Sequence, residues 1–146
     1  FRGTEDPFEV LAIFHGPQTY ISPGWYPSKQ DHGKVVPTWK YVVVHAHGTL
    51  RFHRETEWLL AHLQDLTSRH ENHRAEPWAV TDAPDAFVAQ QLRALVGFEI
   101  EITALEGTWK LSQTTNAADH DGVRDGLTAE ATPQAAAVSE LVRARP

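Results

Sequence analysis

Residues 35–52 form one long stretch in which almost every position is β-branched, aromatic or small and apolar. Read as an extended strand, Trp39, Tyr41, Val43, His45 and His47 fall on one face, and Val42, Val44 and Ala46 on the other. Two mostly apolar faces do not suit a sheet with one wet side. They call for cover on both, as in the wall of a barrel. Gly48 predicts a bulge or bend, with Leu50 and Phe52 continuing the strand beyond it. The rest of the chain must therefore supply neighbouring strands and a covering layer.

Upstream, residues 10–14 read as a short buried strand closed by a turn at His15-Gly16-Pro17, and residues 20–22 as a second extended piece. Residues 28–33 read as a polar loop. Downstream the period changes. Leu59, Leu63 and Leu66 recur at helical spacing, with Glu55 and Glu57 at one end and Arg69 and His70 at the other, so a helix is predicted over 55–70. A loop carrying Trp78 follows. Pro84 opens a second helix over 84–96 that Gly97 stops. Phe98, Ile100 and Ile102 alternate with Glu99, Glu101 and Thr103, which places both isoleucines in the core. A turn at Gly107 leads into residues 109–113. Two weaker helices, over 119–129 and 133–143, form the tail. Strands, two helices, a strand and a helical tail make an α+β, mainly β chain. The expected organisation is a partial barrel domain over 1–116 with the inserted helices, and 117–146 as the helical tail of the same domain.

Composition narrows the function. A chain of 146 residues suits one domain, and a 41% hydrophobic content with five Trp and six Phe can fill its core. The net charge of −6 gives no general attraction to nucleic acid. The absence of Cys removes disulfides, thiolate metal sites and a Cys nucleophile, and fits a reducing cytoplasm. The apolar runs are far shorter than the roughly 20 residues that span a bilayer, so no membrane is expected. The chain opens abruptly at Phe1 without an initiator Met, which reads as a piece of a longer protein.

Four clusters could carry chemistry. Tyr20, Ser22, Trp25, Tyr26, Ser28 and Lys29 combine aromatic rings, hydroxyls and an ammonium group, a mixture suited to a planar phosphorylated ligand and equally to a loop pinned by aromatic anchors. Thr38 and Trp39, beside Pro37 at a strand head, could meet a ligand edge or only pack the strand. Lys110, Ser112 and Gln113 could hold a phosphate or flavin edge, or form a solvated strand end. His45 and His47 share a face, but no third ligand has a defined spacing, so no metal is expected; a His ligand to haem is the other reading. Glu99 and Glu101 read as the wet side of a strand, and no acid–base or nucleophile constellation singles out an enzymatic reaction.

The segments GPQTYISPGWYPSK, KVVPTWKYVVVHAHG, EPWAVTDAP and LVGFEIEITALEGTWKLSQ resemble the PaiB-type FMN-binding split-barrel family of negative transcriptional regulators. The likeness runs over residues 10–127. It implies a split β-barrel, FMN as cofactor and a homodimer, with Trp25, Tyr26, Lys29, Thr38, Trp39, Lys110, Ser112 and Gln113 at the flavin. A nucleic-acid role enters only through the regulatory function of that family, and no helix-turn-helix is evident. The related piperazate synthases use haem, which makes a flavin- or haem-dependent oxidoreductase the alternative. This sequence departs from the family pattern at Lys40, where Asn is usual, and at Thr114, where the family's terminal motif has Asn; strands that precede these segments in the family are expected to be missing.

Overall fold

The computed structural model describes residues 7–144. Three strands form one antiparallel sheet in the order β1-β2-β3: β1 is Phe8–Ile21, β2 Thr38–His53 and β3 Gly97–Lys110. Among the described residues the strands do not close a barrel; the architecture is α+β. A short helix, α1 (Ser28–His32), joins β1 to β2 after a 3₁₀ turn at Pro23–Trp25. Helices α2 (Thr56–Glu71) and α3 (Asp85–Ala94) lie between β2 and β3, and α4 (Ala117–Glu130) and α5 (Pro133–Ala144) follow β3.

Several expectations need correction. His15-Gly16-Pro17 does not turn the chain: β1 runs unbroken through it. β1 is an edge strand, where a proline that lacks an N–H is tolerated. Gly107 likewise lies inside β3, whereas β2 continues past Gly48 through Leu50 and Phe52 as expected. Residues 28–32 are helical rather than a loop. Helix α3 ends at Ala94, and Gly97 starts β3 instead of stopping the helix. Ile102 is 54% exposed and Ile100 only half-buried, because nearly all the side chains of β3 are left uncovered on both faces of the sheet.

The chain divides into two compact units, one built on Gly48–Thr103 and the other on Leu11–His47 with the segment from Ala104 onward. In the first, α2 packs on α3 and on a 3₁₀ turn at Val80–Asp82, with Leu59 and Leu92 buried. The Trp58 indole is stacked between two imidazoles, 4.0 Å from His53 and 5.1 Å from His62.

The second unit holds the larger core. Ile21, Val42 and Leu111 meet Val123 and Leu127 of α4 and Ala135, Val138 and Val142 of α5, all buried. Five of these eight residues come from the helical tail, so the tail supplies most of the apolar surface that holds this unit together. The alternation of β2 explains which face it covers. Lys40, Val42 and Ala46 are buried, whereas Trp39, Tyr41, Val43, His45 and His47 line the opposite, open side.

Candidate functional site

The second unit builds a polar cavity from the loop between β1 and β2. Ser22 starts the construction: its Oγ accepts the Gly24 N–H at 3.1 Å and caps the 3₁₀ turn. Trp25 then points into α4, where Gly122 faces its carbonyl and Gly126 its ring; a Cβ at either glycine would overlap it. Pro27 leads into α1, whose first residue, Ser28, is fastened by Asp119 of α4. The Ser28 N–H and Oγ–H both donate to that carboxylate, at 3.0 and 2.7 Å. Asn116 Nδ2 adds a third bond at 2.8 Å, while Asn116 Oδ1 caps α4 by accepting from the Asp119 N–H at 2.9 Å. Gly33 ends α1 at φ 64°, the left-handed conformation that glycine adopts without strain, and sends the chain past Lys34 into β2.

The resulting cavity is about 440 Å³, within the range of small-molecule sites. Tyr26, Lys34 and Thr38 form one part of its wall, and Thr114, Thr115 and the buried Asp119 another. The Ser28 backbone N–H, then the Ser28 hydroxyl and Asn116, hold the Asp119 carboxyl below the usual carboxylate range, with His32 adding a favourable charge. Burial and the Asp119 charge push the Tyr26 phenol up, so it stays protonated and can donate a hydrogen bond. The wall is thus rich in hydroxyls, with one ammonium and one carboxylate that already accepts three hydrogen bonds.

A second cleft, about 320 Å³, opens on the uncovered side of β1 and β2. Ile13 and Val43 make its floor, and His15, Gln18, Tyr41 and His45 bring polar edges. The Lys110 Nζ lies 5.8 Å from the centre of the Tyr41 ring, a cation–π distance, and Tyr20 meets Trp39 edge-on at 6.4 Å.

The structure separates the eight residues singled out from sequence. Tyr26 and Thr38 share the polar cavity. Trp39 is on the open face of β2, and Lys110 reaches the same face over Tyr41. Lys29 is exposed on α1, and Trp25 is taken up by α4. Gln113 closes its own turn: its Oε1 accepts the Leu111 N–H at 2.8 Å and its Nε2 donates to the Trp109 carbonyl. Ser112 is buried at φ 75°, and its Oγ has no hydrogen-bond partner. Lys34, Thr114, Thr115 and Asp119 were not anticipated. Lys34 begins the VVPTW segment and could have been noticed; Asp119 lies in the tail, whose sequence carries no signal for it. Among the described residues no three His, Asp or Glu side chains gather as a metal site.

The second unit thus carries a hydroxyl-lined cavity and, on the open face of β2, an aromatic pair and a lysine over a tyrosine ring. Comparison with known families defines the class. Residues 2–104 match the family described as "Putative FMN-binding domain", and the chain belongs to this PaiB-type family. Among individual relatives, it is 33% identical over 142 residues to the "Protease synthase and sporulation protein PAI 2" of Bacillus subtilis, covering 97% of this chain and 64% of that protein. It is also 33% identical over 148 residues to an uncharacterized protein of Emericella nidulans, covering 94% and 59%. An uncharacterized protein of Aspergillus fumigatus is 32% identical over 157 residues, covering 97% and 60%. The chain therefore spans about three-fifths of the length of the relatives it matches.

Proposed function

We propose that this protein binds FMN in its second unit and acts as a flavin-dependent negative regulator of the PaiB type. The observation that carries the reading is convergence. Tyr26 and Ser28 come from the first of the segments that resemble the family, Lys34 and Thr38 from the second, and Thr114 directly follows Gln113 just past the fourth, yet all line one cavity. A hydroxyl-rich wall with a satisfied carboxylate suits the neutral ribityl chain of FMN. Tyr26 and Thr38 offer hydrogen bonds to it, and Trp39 beside Tyr20 offers aromatic surface to the flat ring. Lys110 and Ser112 provide a cation and a free hydroxyl for the phosphate, with Lys29 a more distant cation and Gln113 holding the turn that positions Ser112. Trp25 shapes the loop from beneath. Bound flavin supplies two-electron redox chemistry; the chain's own residues bind and orient it.

The finer architecture of this reading is a split barrel completed by a second copy of the chain. Support comes from the open sheet edges and from large apolar side chains left exposed on them, among them Leu11, Phe14, Leu105 and Trp109. The regulatory role is supported by the family and by the sporulation name of the Bacillus relative. The test is an absorption spectrum of the purified protein followed by FMN titration. The reading requires oxidised-flavin bands and a loss of affinity of about tenfold in Thr38→Val, the scale of one or two hydrogen bonds. A protein that neither carries nor takes up flavin would end it. Steady NAD(P)H oxidation by the loaded protein would replace the regulatory role with an oxidoreductase.

A further inference from the structure

Between α2 and α3 of the first unit lies a cleft that the flavin reading does not use. Residues 79–81, just ahead of α3, meet Gln64, Thr67 and Ser68 of α2, whereas Gly97, just past α3, meets Trp58 and Leu59 near the start of α2. The two helices therefore run antiparallel, and the cleft between them has two unlike ends. Leu60, Val88, Ala89 and Leu92 give it an apolar floor. Gln64, Thr81 and Asp85 gather at its other end, where α3 begins. The volume is about 290 Å³, near the lower limit of small-molecule sites. The stretch of α2 that walls it, from Thr56 to Gln64, is about 12 Å long at roughly 1.5 Å per residue.

Charge narrows the occupant. Among the described residues Asp85 is the charged side chain of that wall, and no Lys, Arg or His lines it. Asp82, three positions earlier, accepts the Ala79 N–H at 2.9 Å, but no hydrogen bond or ion pair engages the Asp85 carboxylate among the described residues. The first turn of α3 favours an acidic residue there, which accounts for the charge but not for the apolar floor beside it. A carboxylate repels a ligand with an anionic head. An ammonium group, by contrast, can pair with Asp85 and donate to the Gln64 amide and the Thr81 hydroxyl, while its carbon chain covers the floor and takes that apolar surface out of water.

We infer that the α2–α3 cleft binds a small aliphatic amine in its ammonium form, with Asp85 as counter-ion and Leu60, Val88 and Leu92 holding the chain. The site is independent of the flavin reading: it lies wholly within the first unit and shares no residue with the polar cavity.

The experiment titrates hexylammonium, hexanol and hexanoate into wild type, Asp85→Asn and Ala89→Leu near neutral pH, with binding read from NMR shifts of the cleft residues. Wild type should bind hexylammonium best, hexanol more weakly and hexanoate not at all. Asp85→Asn should lose about tenfold for hexylammonium, the low end for a charge-assisted hydrogen bond because Asp85 is exposed, and less than about twofold for hexanol. Ala89 is exposed, so Ala89→Leu fills the cleft without entering the core, and it should weaken hexylammonium and hexanol alike. Raising salt from about 0.01 to 0.15 M should weaken hexylammonium alone. Hexanoate that binds as tightly as hexylammonium, an Asp85→Asn protein that binds hexylammonium like wild type, or no saturable shift with any of the three ligands would overturn the assignment. So would hexylammonium that binds Ala89→Leu unchanged, because it would then sit elsewhere on the chain.

Discussion

At the residue scale the decisive group is Asp119. Its carboxylate accepts three hydrogen bonds, two of them from Ser28 at the head of α1, so one side chain ties the β1–β2 loop to α4. The folded carboxyl titrates below its ordinary value of about 3.9. Its stabilising contribution is therefore complete above that value and is lost as pH falls through the lower folded one. Urea midpoints measured down the acid limb should fall more steeply for wild type than for Asp119→Asn, and near neutral pH Asp119→Asn should be the less stable, because its amide turns a donor toward the Ser28 donors. Parallel pH profiles would show that the carboxylate does not carry this junction. None of this was legible in the sequence. An aspartate three residues after an asparagine reads as a local cap, which it also is, and the bond to a residue 91 positions away leaves no periodic trace. Tyr26 and Thr38 belong to segments that were picked out from sequence, and the structure sets both in the wall of one cavity; that Trp25 packs on α4 and Gln113 closes its own turn was not legible, since packing and turn closure use the same residue types as ligand binding.

At the element scale the strongest device is the glycine pair of α4. Glycine in a helix interior costs about 1 kcal/mol relative to alanine, yet Gly122 and Gly126 stand one turn apart on the face that receives Trp25. Gly126→Ala should gain that propensity and lose more to overpacking against the indole, about 1–3 kcal/mol. The expected outcome is a net loss, read from chemical denaturation, with Gly122→Ala worse because it meets backbone rather than a side chain. A more stable Gly126→Ala protein would mean that Trp25 packs elsewhere. The end of the same helix predicts the opposite sign. Ala131 holds φ 52°, so Ala131→Gly should stabilise the protein by about 0.5–1 kcal/mol. Element types followed from periodicity: α2 and α5 start and end within a residue of where their apolar spacing placed them, and the two faces of β2 divide as alternation requires. What periodicity could not say is which face of β2 the tail covers, since both are apolar. Nor could it say that β1 and β3 run through their glycines and Pro17, because turn-forming residues are also the ones an edge strand accepts.

At the scale of the whole molecule the balance of apolar surface sets the expectation. Phe14 is 60% exposed and Leu105 63%, both on edge strands of the sheet, and a monomer rarely leaves such side chains together with open strand edges in water. A second copy of the chain can cover them at the roughly 800 Å² per partner that a stable interface needs. Charge opposes that association: each chain carries −6, so two copies repel at long range, and added salt screens the repulsion. Light scattering at micromolar concentration should therefore report a dimer whose dissociation constant falls as salt rises from about 0.01 to 0.15 M, across which the screening length shrinks from about 30 to 8 Å. Leu105→Lys puts a cation on the exposed edge without touching the core. If that edge is buried between copies, the variant should shift toward monomer while its denaturation midpoint, extrapolated to low protein concentration, stays that of wild type. A wild-type chain that remains monomeric at every salt concentration, or a Leu105→Lys protein that dimerises unchanged, would leave the edge strands to some other cover.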